Sequence, residues 1–170
     1  MLWAELETGE KIFGESLIGK SKKPISRIGC LPENPTALPT ALDAIKEADL
    51  IVLGPGSLYT SLLPNLLVPD IVEALLKSDA PKIYISNLMT QPGETDGLDV
   101  YQHIKSIEKQ LLNFGVNKRI FNAILSQIEF EESSLIDYYR SRGAEPVICD
   151  KRKLISEGYY VLQAPLYARR

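Results

Sequence analysis

The chain has 170 residues, 45% apolar and 24% charged, the make-up of an ordinary globular domain rather than of a disordered or fibrous chain. Its formal net charge of -3, with no basic stripe interleaved with aromatics, gives no electrostatic basis for nucleic-acid binding. Two distant cysteines, Cys30 and Cys149, argue against a zinc site or disulfide framework, and no segment approaches the ~18 apolar residues of a membrane span or has the look of a signal peptide. The expectation is a soluble, cytoplasmic protein with two buried thiols.

Leu2, Ala4 and Leu6 alternate with Trp3, Glu5 and Glu7, Thr8-Gly9-Glu10 supplies a turn, and residues 11–15 form a return strand. Lysines 20, 22 and 23 make a basic turn before a third strand over residues 25–31. With Lys11 nearby they invite a phosphate-binding reading, but a solvated turn explains them as well. Residues 1–35 thus read as a small antiparallel β unit ending in the extended linker Leu31-Pro32-Glu33-Asn34-Pro35.

From residue 36 to 170 the pattern changes to that of an α/β domain. A helix over about 39–48 places Leu38, Ala41, Leu42 and Ile45 on one side. Leu50-Ile51-Val52-Leu53 reads as a strand buried on both faces, as inside a parallel sheet. Gly54-Pro55-Gly56-Ser57 breaks it, and Leu58, Leu62 and Leu63 then fall at near-helical spacing. Pro69 opens a helix whose Val68, Ile71, Val72, Leu75 and Leu76 form a stripe. Residues 82–86 are a strand, followed by the polar loop Asn87 to Gly97. Asp99 and Gln102 form a capping box for a helix with Val100, Ile104, Ile107 and Leu111 on its buried face. A strand over 119–125, a helix over 133–142 stopped by Gly143, a strand over 146–149 and a last strand near 159–162 complete the chain. The order βαβαβαβ predicts a Rossmann-like α/β fold, a parallel sheet with flanking helices.

Loops that follow parallel strands share one edge of the sheet, so Gly54 to Ser57 and Asn87 to Gly97 are expected side by side. Gly54 and Gly56 allow close backbone approach, and Pro55 stiffens the turn. Ser57 either caps the next helix or donates to a phosphate with Thr60. The stretch lacks the lysine of a Walker loop and the third glycine of a dinucleotide fingerprint, so a structural turn explains it equally well. Long polar loops at this edge are commonly functional. Asn87 and Gln91 suit a base or sugar edge, while Glu94 and Asp96 suit sugar hydroxyls or a metal-bound water. Tyr59 either stacks on a base or joins the core. His103, the only histidine, is expected to face solvent or pack at an edge, and no catalytic triad can be assembled.

The runs from Ala48 to Ser61, Pro64 to Val68 and Asn87 to Gly97 closely resemble the CofD-like superfamily, and most of all its YvcK-type branch, the gluconeogenesis factors. Glu5 to Glu7, Gly14 to Ser16 and Pro32 to Pro35 resemble it too. The resemblance implies a Rossmann-like fold. The phospholactyl transferase branch moves a phospholactyl-type group from a guanosine diphosphate donor to a deazaflavin with Mg2+. The YvcK-type branch implies a nucleotide-sugar-binding regulator of cell shape and of growth on gluconeogenic carbon, with UDP-sugar as the ligand.

On that basis the ligand-binding residues are Gly54, Pro55, Gly56, Ser57, Tyr59, Thr60, Asn87, Thr90, Gln91, Gly93, Glu94, Thr95, Asp96 and Gly97. The family's N-terminal Gly-rich loop has no counterpart here, so the chain looks like the C-terminal half of a member. That implies an uncovered apolar edge or face and hence homo-oligomerisation or a missing N-terminal half. A fragment without independent activity is the remaining alternative. After Leu125, where members tend to carry asparagines, this chain has Ser126 and Gln127.

Overall fold

The computed structural model describes residues 1–130 and 134–167. Two sheets organise it. The first is antiparallel, in the order β2-β1-β3, from Leu2–Leu6 (β1), Lys11–Phe13 (β2) and Ile25–Cys30 (β3). The alternation along β1 turns Ala4 and Leu6 inward, onto Ile18, Ile25 and Ile28.

The return strand stops at Phe13, and Glu15–Ser21 is a helix (α1) rather than the approach to a turn. Seven residues with Gly19 inside and Ile18 as the single buried side chain leave too little periodicity to read. The helix ends at Lys22 in the left-handed region, and Lys23 pairs with Glu10 at 2.8 Å, both exposed, as a solvated turn would have it.

The second sheet is fully parallel in the order β4-β5-β6-β7: Ile51–Leu53, Lys82–Ile85, Ala123–Gln127 and Tyr160–Ala164. Between the strands lie Pro69–Lys77 (α3), Val100–Leu112 (α4), Ser134–Arg140 (α5) and Lys151–Ser156 (α6); Pro39–Glu47 (α2) precedes β4. The helix expected over 133–142 is α5, its first residue lying outside the described residues. Neighbouring strands follow in chain order, the arrangement in which right-handed crossovers bring connecting helices to one side of a sheet, and Val72 of α3 and Leu154 of α6 lie in the core with it. There Tyr84, Ile124 and Val161 are buried with Val100, Ile104, Ile107 and Leu111 of α4 in one core. Asp99 and Gln102 close the capping box as expected, at 2.7 and 2.8 Å.

Three expectations change. Leu50-Ile51-Val52-Leu53 is not buried on both faces: β4 is an edge strand, and Leu50 and Val52 are exposed. The third parallel strand begins at Ala123, not at 119. Residues 146–149 form no strand. Pro146 makes one antiparallel bridge to Met89, and the fourth strand is β7, reached through the unforeseen α6. Both segments are short apolar runs, and only the long-range pairing with β6 decides between them. Among the described residues no helix is long and apolar enough to cross a membrane.

Candidate functional site

The glycine turn leaves the carboxyl end of β4 and the polar loop leaves that of β5, its neighbour. The two are joined directly. The Gly56 N–H donates to Asn87 Oδ1 at 3.0 Å, and the Ser57 hydroxyl donates to Glu94 Oε2 at 2.5 Å. Ser57 Oγ also accepts from the Thr60 N–H at 3.2 Å and lies 2.5 Å from Thr60 Oγ1, so it caps the helical segment Leu58–Leu62. Ser57 is thus the cap, and its hydroxyl hydrogen goes to a buried carboxylate. The N–H groups of Ser57, Leu58 and Tyr59 have no acceptor among the described residues.

The polar loop is rigidly held. Gln91 N–H donates to Thr95 Oγ1 at 2.8 Å, and Gly93 N–H to Asp96 Oδ2 at 2.5 Å. Thr90 is doubly tied to Glu145, its N–H donating to the Glu145 carbonyl at 2.7 Å and its hydroxyl oxygen accepting the Glu145 N–H at 2.9 Å. Val147 N–H donates to the Leu88 carbonyl at 2.9 Å. Residues 145–147, which overlap the strand expected over 146–149, are therefore the brace of this loop. Asn87, Thr90, Gly93, Glu94 and Thr95 are buried, Gly54, Gly56, Ser57, Tyr59, Thr60 and Gln91 half-buried, and Pro55, Asp96 and Gly97 exposed. The buried threonines shape the loop from within, whereas Pro55, Asp96 and Gly97 face solvent. The Gln91 Oε1 is buried and without a donor among the described residues.

Tyr59 turns from the loop into a cleft of about 270 Å³ between β3 and α4, lined also by Arg27, Lys109 and Gln110. Its hydroxyl interacts with Ser106, and burial raises its pKa.

The structure corrects the reading of His103, which is fully buried. It lies three residues beyond Val100 and four before Ile107, a spacing that places it on the buried face of α4. Its Nδ1 pairs with the Asp99 carbonyl at 2.8 Å, and Nε2 has no partner among the described residues. Burial holds its pKa below the ordinary 6.5. As pH falls below that value the unfolded chain takes up a proton that the folded chain refuses, so stability declines toward the lowered native pKa. The urea midpoint is expected to fall between about pH 7 and 5.5, and His103→Leu to flatten that part of the profile.

Other buried polar atoms escaped the sequence reading: Tyr84 Oη and Ser126 Oγ lack a hydrogen-bonded partner of normal geometry among the described residues. The Cys149 thiol lies beside Ser126, and burial pushes its pKa up. Both cysteines are free and half-buried, not buried outright.

Mg2+, implied by the transferase branch, does not fit a site built by these residues alone. Glu94 is engaged by Ser57 and Asp96 by Gly93, and among the described residues no three of His, Cys, Asp or Glu cluster as ligands.

The fold and the loop pair define a Rossmann-like α/β protein with a glycine turn clamped to a polar loop at the carboxyl edge of its sheet. The family described as 2-phospho-L-lactate transferase CofD matches residues 1–167, and the chain belongs to that family. It is 44% identical over 169 residues to the gluconeogenesis factor of Halalkalibacterium halodurans, covering 96% of this chain and 51% of that protein. With the gluconeogenesis factor of Bacillus subtilis it shares 41% identity over 163 residues, 96% of this chain and 50% of the relative. The crystal structure of a upf0052 family member from Bacillus halodurans superposes with a TM-score of 0.90 at 42% identity, over 99% of this chain and 53% of that one. The chain thus spans about half the length of these relatives.

Proposed function

We propose that this chain carries one wall of a nucleotide-sugar site and serves as a regulatory, ligand-binding protein of the gluconeogenesis-factor type, in a cytoplasmic setting. The observation that carries the reading is the clamp between the two loops, Gly56 to Asn87 and Ser57 to Glu94, at the carboxyl edge of a parallel sheet. A diphosphate would lie along the backbone of Gly54, Pro55, Gly56 and Ser57, close to the unpaired N–H groups that follow, with Thr60 beside it. Asn87, Gln91, Asp96 and Gly97 would meet the sugar or base. Thr90, Gly93, Glu94 and Thr95 would hold the loop in shape, and Tyr59 would border the site from the cleft behind it. The relatives named gluconeogenesis factors support a regulatory role.

The test is calorimetric titration with UDP-N-acetylglucosamine. Binding is expected, weakened roughly tenfold, or about 1.4 kcal/mol, by Asn87→Ala, which leaves the Gly56 N–H unpaired. Heat from the Bacillus subtilis relative but none from this chain would reduce the chain to an inactive fragment. Silence from both would sink the nucleotide-sugar reading.

A further inference from the structure

Ser106, Lys109, Gln110 and Asn113 stand at i, i+3, i+4 and i+7 along α4 and its C-cap, so they share one face of the helix. All four line the cleft toward β3 of the N-terminal unit. A helix face set against a sheet within one fold is ordinarily apolar and closes the gap. This one is polar, and about 270 Å³ stays open between the two elements. Buried Ile25, Ile28 and Leu63 give the cleft an apolar wall. Leu63 belongs to the turn Leu63–Leu67, which lies against both β3 and α4.

Gln110 makes the cleft more than a packing defect. The residue is only 7% exposed, and its side-chain amide has no hydrogen-bond partner among the described residues. The amide is not sealed from solvent, so it opens into the cleft that it lines. A buried amide left in this way calls for a partner from outside the chain. Lys109 stands exposed at the rim, with no ion pair among the described residues. Across the cleft, Arg27 gives Nη2 to Glu5 at 2.8 Å and keeps further N–H donors.

Two cations with neutral donors between them suit an anion, and a guanidinium fork suits phosphate in particular. Glu7, exposed at the border, repels a bare polyanion but accepts from hydroxyl groups. The volume is slightly below the ~300 Å³ at which sites for drug-sized ligands begin. We infer that the cleft binds a small phosphorylated polyol or sugar, its phosphate between Arg27 and Lys109 and its hydroxyls on Gln110 and Glu7. Tyr59, which also lines the cleft, lies in the segment Leu58–Leu62 that Ser57 caps, so an occupant rests on the segment that follows the glycine turn. None of these contacts requires a ligand at the turn itself.

The test is calorimetric titration of this chain with glycerol phosphate, ribose phosphate and glucose phosphate, alongside inorganic phosphate and the three unphosphorylated compounds. One or more of the phosphorylated compounds is expected to bind roughly tenfold more tightly than inorganic phosphate and than its own unphosphorylated form. Lys109→Met, at an exposed position, is expected to weaken that binding roughly tenfold with the far-ultraviolet circular dichroism unchanged. Gln110→Leu is expected to weaken it too without lowering the thermal midpoint, since it removes an amide that has no partner in the chain. Lys118→Met, exposed and outside the cleft, is expected to leave binding intact. Absence of binding by all three phosphorylated compounds would overturn the inference, as would equally tight binding of inorganic phosphate. So would binding that is lost in Asn87→Ala yet indifferent to Lys109→Met and Gln110→Leu, which would place the anion at the glycine turn.

Discussion

Gly54→Ala is expected to lower the thermal midpoint by roughly 6–12 °C, taking about 3 kcal/mol of stability at about 2–4 °C per kcal/mol for a chain of this size. Two effects add at this position. The backbone has φ +95°, a conformation that side-chain-bearing residues rarely adopt, and a β-carbon would lie 2.3 Å from the Ile85 carbonyl oxygen. That oxygen belongs to the neighbouring strand and cannot swing aside as a flexible side chain would. Relief requires the turn to lift away from β5. Lifting it would break the hydrogen bond from Gly56 to Asn87 and the one from Ser57 to Glu94 together. Scanning calorimetry measures the first effect. The accompanying loss of UDP-N-acetylglucosamine binding would show that the turn and the proposed ligand share one geometry. A variant that melts within 2 °C of the wild type, against the about 6 °C minimum given above, would mean that the turn yields at little cost.

The second large effect is expected at Gly93, where alanine would cost roughly 2–4 kcal/mol. Here φ is +84°, and the added carbon would lie 2.1 Å from Lys22 Cα and 2.4 Å from its carbonyl carbon. Two backbones meet at this point: the polar loop of the parallel sheet and the end of α1 from the N-terminal unit. The consequence is more specific than a lower midpoint. Hydrogen exchange should rise across residues 15–22 and 90–96, while β5, β6 and α4 remain protected at native levels. Uniform loss of protection would instead mean that this contact holds the whole molecule together.

Much of this arrangement was legible because it rests on local rules. The alternation in β1, the stripe in α3 and the Asp99–Gln102 capping box each depend on residues a few positions apart. The neighbourhood of the two loops followed from a topological argument, since parallel strands send successive loops to one edge. His103 was legible and misread: its spacing from Val100 and Ile107 marks the buried face, but its polarity argued for solvent. The brace formed by residues 145–147 was not legible. An apolar Pro-Val-Ile-Cys run carries nothing to distinguish one bridge to Met89 from a full strand, and the choice lies in hydrogen bonds spanning some 55 residues, such as that from Glu145 to Thr90.

The amino-acid sequence by itself determined the class of fold, the glycine turn and the polar loop, because hydrophobic period and turn chemistry are local properties. Only the tertiary structure decided what those elements are exposed to. Leu50-Ile51-Val52-Leu53 has the composition of an interior strand, and no residue within it records that it lies at the edge of the sheet. Burial belongs to the neighbours a segment acquires, and the neighbours of β4 are fixed by the chain order of the strands and the hand of their crossovers. The same topology brings Ser57 to Glu94, which are 37 positions apart.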